Sequence, residues 1–478
     1  MNISVTKIIS TQTTNHLNQT NNMKNHYQIK STTSGLVRAF VLAFLIVTFQ
    51  VSNLFAQIPV TVSGTAVTTP ALNPTYPNLA AAVGAVNAIT SYSTPGTIIL
   101  TCTGGNSETA PVKGLGLGSA TLNPLLSATN TITINKTGGA VTLNAGTGTA
   151  ASPAASADGI FYLNGADYVT IDGLTFTDGN SASATVAMEY GIAFFKRAVG
   201  DGCNNNTIQN CIFNMQRISN GSGSGPMLDG SWAIEVLNST AAAAITSLTP
   251  TNGGTLATNG TNSGNKFYSN TINGGNGGIG FGGYAATVGV GPAPTATTFL
   301  GDLGNDVGGT ALSTGNTIKN FGGGAATNPS AGIRANFQWS LNISYNNLNS
   351  NDGGGVNHAT TLRGIYAQAG ISANVTISNN TVTVKSAGTT AVLTGIDNVV
   401  GSTSASNTVN INNNIVQNCS YNTATSATFN GITSTATATS VNLNNNQILN
   451  NTIGAALTAT SCTFIGIFGS GTNTTTTL

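Results

Sequence analysis

The segment 375–382, Val375-Thr376-Ile377-Ser378-Asn379-Asn380-Thr381-Val382, returns at 409–416 and again at 441–448. Toward the N-terminus 341–348 matches closely, 266–272 and 206–213 match in outline, 317–321 keeps a fragment, and 169–176 opens the series. Each unit centres on one apolar residue, namely Ile171, Ile208, Phe267, Ile318, Ile343, Ile377, Ile411 and Leu443. A second short step follows each: Gly191-Ile192, Ala233-Ile234, Gly278-Ile279, Gly332-Ile333, Gly364-Ile365, Gly395-Ile396, Gly431-Ile432 and Gly466-Ile467. Two strands per repeat are therefore expected. Alternation at period two sends Val375, Ile377 and, beyond a bend at Asn379-Asn380, Val382 to one side, as a half-buried strand requires. Such a strand cannot bury itself, but stacking each repeat on the last gives it two hydrogen-bonded neighbours and merges the apolar residues into one core. Asn recurs three residues after the centre at Asn270, Asn346, Asn380, Asn414 and Asn446. An inward bend there calls for a residue that tolerates left-handed backbone, and stacked amides bond one another along the axis.

These units resemble the right-handed parallel β-helix repeats of pectate-lyase-like proteins and bacterial surface proteins, over roughly residues 158–470. The resemblance implies an all-β, right-handed parallel β-helix solenoid. It implies little about activity, since that fold carries lyases, hydrolases, adhesins and fibres alike.

Charged residues make up only 6% of the 478 positions while Gly accounts for 59, a composition that without periodicity would read as disorder. The long apolar run 36–55 follows Lys24 and Lys30 and ends at Ala56-Gln57, and it resembles a secretory signal peptide over residues 1–56, with a true start at Met23. Gln50 and Asn53 interrupt the run, which argues against a permanent membrane span. Cleavage after Ala56 removes Lys7, Lys24, Lys30 and Arg38 from 14 basic residues and none of the 13 carboxylates, leaving a net charge of about −3. No basic stripe for nucleic acid remains. Five cysteines without tight spacing form no disulfide framework, although Cys203 and Cys211 are close enough to pair.

Residues 57–157 read as an N-terminal capping region. Asn78 caps a short amphipathic helix at 78–89 whose Leu79, Val83 and Val86 share a face, suited to covering the open first coil. The passage 76–87 with 96–100 and 108–110 is also similar to the start of large secreted surface proteins of Bacteroidota. Residues 158–478 are the repeats, with long Gly- and Thr-rich insertions at 214–265 and 273–316, where binding surfaces are expected. The Thr-rich tail at 473–478 offers no closing element, so the repeat region reads as truncated at its C-terminus.

Candidate chemistry lies beside the second strand. The residue after each Ile gives Ala193, Glu235, Gly280, Arg334, Tyr366, Asp397, Thr433 and Phe468, expected to be neighbours on one exposed strip. Glu235, Arg334 and Asp397 are the catalytic candidates, and Tyr366, with Arg363 and His358 in an adjoining loop, the ligand-binding ones. One or two carboxylates are a thin supply for acid/base chemistry or for calcium. No metal site is assigned and no cofactor is implied. Calcium between loop aspartates, such as Asp167, Asp172 and Asp178, has room only as a stabiliser. Residues 278–283 satisfy G-x-G-x-x-G, but they form a repeat strand with no helix after it. Ice or crystal binding ranks last, for want of a regular T-x-T column. The sequence thus points to a secreted or cell-surface, non-catalytic stalk or adhesin contacting polysaccharide or cell-surface glycans, with a polysaccharide lyase or glycoside hydrolase as the alternative.

Overall fold

The computed structural model describes residues 56–478 except 149–157, 184–185, 219–229, 242–247, 252–258, 288–293, 295–298, 324–328, 356, 401–406, 436, 455–460, 471–474 and 478. The leader reading, on 1–56, lies outside the described residues except for Ala56.

Each coil contributes three strands rather than two, as in Val375–Ser378, Thr381–Thr383 and Leu393–Asn398. What reads as one strand with a bend is two strands on different faces. Among the described residues the strands assemble into three long sheets of thirteen, ten and ten strands, numbered here by their order within a coil. Pairing between successive coils is parallel, with register shifts in the third sheet between Phe194 and Lys196 and between Ala335 and Asn336. The first sheet aligns Ile134, Ile171, Ile208, Phe267, Val307, Ile343, Ile377 and Ile411. The second aligns Leu143, Phe176, Phe213, Ile272, Ile318, Leu348, Val382 and Val416. The third aligns Phe161 with Ile192, Ile234, Ile279, Ile333, Ile365, Ile396, Ile432 and Ile467, so every Gly-Ile or Ala-Ile step takes its expected place. The chain is an all-β parallel β-solenoid.

Three expectations are corrected. Ile318 belongs to the second sheet, and Val307 takes its place in the first. The strand Asp306–Val307 is only two residues long, and a 3-10 turn at Leu312–Thr314 stretches the spacing before Thr317-Ile318-Lys319, which therefore mimics a first strand. The left-handed residue at the bend is one position before the ladder Asn: Ser269, Tyr345, Asn379, Asn413 and Asn445 have φ of 54°, 62°, 57°, 57° and 56°. Finally, the coils begin before Val169, inside the stretch assigned to the cap. Thr97–Thr103 pairs in parallel with Thr131–Thr137, and Asn106–Thr109 with Val141–Asn144.

The asparagines form a buried ladder that also includes Asn316, outside the sequence pattern. The Oδ1 of Asn316, Asn346, Asn380, Asn414 and Asn446 each accepts from the backbone N–H and the side-chain amide of the ladder Asn one coil earlier, over 2.8–3.1 Å. Each Nδ2 also donates to a first-sheet carbonyl, Asn380 to Ile343 at 2.9 Å and Asn414 to Ile377 at 2.9 Å. The bend's polar groups are thereby satisfied without water, as burial demands.

The glycine of the Gly-Ile step is required by space. A Cβ on Gly364 would lie 2.3 Å from Val382 Cγ1, and one on Gly395 2.6 Å from Val416 Cγ1 and 2.5 Å from the Gly431 carbonyl oxygen. The second sheet's apolar column fills the volume that a side chain would need. Gly364 and Ile365 thus both face inward, which brings Arg363 and Tyr366, three residues apart, onto the same outer face.

Helix α1 (Leu79–Asn87) begins at Asn78, whose Oδ1 accepts from Ala81 N at 2.7 Å, and it buries Leu79, Ala82, Val83 and Val86. Glu108, on a strand of the first coil, turns its carboxylate to the helix N-terminus and accepts from Leu79 N at 2.8 Å and Ala80 N at 3.0 Å. An anion is favoured there by the helix dipole. Val60–Gly64 covers the first edge of the first sheet by pairing antiparallel with Thr97–Thr103.

Candidate functional site on the third sheet

The outer column of the third sheet runs Ala193, Glu235, Gly280, Arg334, Tyr366, Asp397, Thr433, Phe468, in the order read from the sequence. It is not one exposed strip. Glu235 has no accessible surface and Arg334 is 8% exposed. Four strand steps separate Glu235 from Asp397, or about 19 Å at the usual strand spacing. Two carboxyls that flank a glycosidic bond stand within about 10 Å of each other. The sheet therefore does not bring these two candidates together.

What it does assemble is a cluster around Arg363. This residue lies in the strand Leu362–Ala369 and not in a loop. Its Nε pairs with Asp397 Oδ2 at 2.6 Å, and its guanidinium carbon sits 4.0 Å from the centre of the Tyr366 ring. Thr433 Oγ1 donates to the other Asp397 oxygen at 2.8 Å. Arg334 Nε is engaged by Gln368 Oε1 at 2.9 Å. A guanidinium held over an aromatic ring and fixed by a carboxylate is oriented and largely neutralised. It suits contact with polar groups rather than proton abstraction.

His358, assigned to an adjoining ligand-binding loop, is completely buried. Gly323 N–H donates to Nδ1 at 3.2 Å, and Nε2 lies 2.9 Å from Thr360 Oγ1. With Nδ1 accepting, the ring is the neutral Nε2–H tautomer and holds loops together.

Sequence reasoning missed a cleft on the same sheet, near its N-terminal end, lined by Lys113, Tyr162, Asn164, Tyr190, Arg197 and Thr240. Its signal lies in the register, since Tyr162 opposes Gly116 and Tyr190 opposes Gly159, but the pairing is visible only once the coils are traced back past Val169.

Just inside that region is a buried polar corner. Phe194 points into the core against Phe267, Phe195 outward against Tyr162 and Tyr190, and alternation turns Lys196 inward. Cys203 Sγ lies 3.2 Å from the Phe195 carbonyl oxygen, Cys203 N–H donates to Asn262 Oδ1, and Asn262 N–H donates to Asp302 Oδ1. Asp167 Oδ1 accepts from Asn204 N at 2.6 Å. Burial pushes the Asp167 carboxyl up from 3.8 to about 8 despite those Asn204 bonds, and draws the Lys196 ammonium down from 10.5 to about 8 against the pull of Asp302. Between pH 4 and 8 the folded state keeps a proton on Asp167 that the unfolded chain has lost, so stability falls as pH rises. Between pH 8 and 10.5 the folded state has released a Lys196 proton that the unfolded chain retains, a gain that the buried thiols oppose above about pH 9, where the unfolded chain ionises cysteines that the folded state keeps protonated. A fall in the urea midpoint from pH 4 to 8 is therefore the expected result, no steeper than about 1.4 kcal/mol per pH unit for Asp167. Asp167→Asn should flatten this fall, and a midpoint insensitive to pH between 5 and 8 in the parent would contradict this.

All five cysteines are unpaired, and burial pushes the Cys211 and Cys419 thiols up to about 12. Among the described residues, no three His, Cys, Asp or Glu side chains group as a metal site would require. No helix among them is long and apolar enough to cross a membrane.

No family model matches the chain, and no curated protein sequence does. Among solved structures, the A-module of a mannuronan C-5 epimerase from Azotobacter vinelandii aligns with 82% of this chain and 94% of its own length, at 14% identity and a TM-score of 0.26. The fold assignment stands on the strand register described above.

Proposed function

We propose that the chain is a secreted or surface-displayed, non-catalytic β-solenoid that contacts polysaccharide or cell-surface glycans through the outer face of its third sheet. The observation that supports this is the state of the charged groups on that face. Asp397 is occupied by Arg363 and Thr433, and Arg363 by Asp397 and the Tyr366 ring. Glu235 is buried about four strand steps away, so Glu235 and Asp397 form no acid/base pair across an open groove. Oriented guanidinium, aromatic and hydroxyl groups on a rigid sheet suit the hydroxyl-rich, partly apolar surface of a sugar chain.

The purified protein is tested for retention on immobilised pectin, alginate and chondroitin, with release of unsaturated or reducing ends followed in parallel. Retention without new chain ends is expected. Release of ends would establish the lyase or hydrolase alternative, and absence of retention on every glycan would overturn the binding role.

A further inference from the structure

The cleft at the N-terminal end of the third sheet lies five strand steps from Tyr366, about 24 Å along the axis, and is a separate place on the molecule. We infer that it is a binding site for an acidic sugar residue, a uronate or a sulfated unit, within a glycan chain. The inference rests on the glycan-contact reading and gives it a location and a ligand class.

The floor is aromatic and is built to be flat. A Cβ on Gly116 would fall 2.3 Å from Tyr162 Cζ, and one on Gly159 1.8 Å from Tyr190 Cε2, so each ring lies across the backbone of a glycine one coil earlier. Any other residue at those glycines would lift the ring off the sheet. Phe195 meets both rings edge-on, at centroid distances of 6.0 Å from Tyr162 and 5.5 Å from Tyr190. Tyr190 is buried and its hydroxyl donates to the Lys113 carbonyl at 3.1 Å, which ties the segment carrying Lys113 to the floor. Tyr162 remains half-exposed and offers its ring to a ligand.

The walls carry two basic side chains, one of them paired with a carboxylate. Arg197 is paired with Asp201, whose carboxylate also accepts from Asn123 at 3.1 Å, so the guanidinium is oriented before any ligand arrives. Lys113 is exposed at the rim, and Asn164 and Thr240 add an amide and a hydroxyl. The lining residues include two cations and no carboxylate. The volume is about 440 Å³, within the usual range for small-ligand sites. A pyranose presents C–H groups to an aromatic face and hydroxyls to an amide and a hydroxyl. A carboxylate or sulfate on that ring would have Lys113 and Arg197, both in the lining, as charge-assisted hydrogen-bond partners. A neutral sugar would leave that half of the cleft unused, and this sets the class.

The full-length protein is titrated by calorimetry with three hexamers: oligogalacturonate, a sulfated chondroitin oligosaccharide, and neutral maltohexaose. Binding of one or both acidic hexamers at least tenfold tighter than maltohexaose is expected, and the two acidic arms tell carboxylate from sulfate recognition. Tyr162→Ala and Lys113→Glu should each weaken the acidic hexamer at least tenfold, while Lys266→Gln, which removes an exposed cation from the first sheet, should not. Asn164→Asp keeps the side chain's size and sets a negative charge in the cleft, so it should weaken binding similarly even if Tyr162→Ala fails to fold. Equal binding of acidic and neutral hexamers, or undiminished binding by Lys113→Glu and Asn164→Asp, overturns the inference. A parent protein retained on glycans with undiminished cleft variants fails this inference alone, whereas a parent that binds no glycan fails the wider reading as well.

Discussion

Replacing Asn380 by alanine is expected to lower the stability of the solenoid by about 3–5 kcal/mol, among the largest single effects available in this chain. The side chain is 1% exposed and serves both neighbouring coils. Its Oδ1 accepts from Asn346 N and Nδ2 at 2.9 and 3.0 Å, and its Nδ2 donates to the Ile343 carbonyl and to Asn414 Oδ1. Truncation leaves the Asn346 N–H and the Ile343 carbonyl buried without those partners, and each such group costs about 1–3 kcal/mol. Asn446 supplies the contrast. It occupies the same rung but is only half-buried, so Asn446→Ala should cost about 1 kcal/mol. Urea unfolding followed by far-UV circular dichroism measures both, and equal midpoints for the two variants would show that the ladder is not what holds the bend.

Gly395→Val is expected to be comparably damaging, at about 3 kcal/mol, through overpacking. The new Cβ would meet the Gly431 carbonyl oxygen at 2.5 Å and both Val416 methyl groups at 2.6 and 2.9 Å, and a hydrogen-bonded backbone group cannot move aside cheaply. The same exchange at Gly466, in the last described coil, meets nothing within 4 Å and should be nearly neutral. Thermal unfolding of the pair separates a steric requirement from a conformational one. If both substitutions cost the same, the glycine is needed for backbone freedom and the packing argument fails.

These two sites also show how much was legible in the sequence. The Gly-Ile step could be read because glycine and isoleucine recur for one geometric reason, the facing column of Leu348, Val382 and Val416, and all eight steps align. The ladder was legible wherever the spacing from centre to Asn stayed constant. It was lost at Asn316, where the turn at Leu312–Thr314 intervenes, and the same insertion disguised Ile318 as a first-sheet residue. The left-handed positions were displaced by one because Ser269 and Tyr345 take that conformation as Asn379 does, so residue type alone did not mark the site. For the candidate site the order along the outer column was readable, but burial was not. Glu235 and His358 look like surface groups in the sequence, and the sequence alone does not tell which strand or loop covers a polar residue. The cleft was invisible for a related reason, since Tyr162 and Gly116 are brought together by register over a long stretch of intervening chain.

The central claim is that distance along this molecule counts coils rather than residues. Nitroxide labels on cysteines introduced at outward first-sheet positions test it directly, with Cys462 replaced by serine to leave only buried native thiols. Thr207 and Asn410 are five strand steps apart, and Thr170 and Asn442 are seven. At the usual strand spacing, pulsed electron–electron resonance should give separations of about 24 Å for the first pair and about 34 Å for the second, each narrowly distributed. Equal separations, or broad distributions unrelated to the number of strands between the labels, would contradict the stacked parallel solenoid.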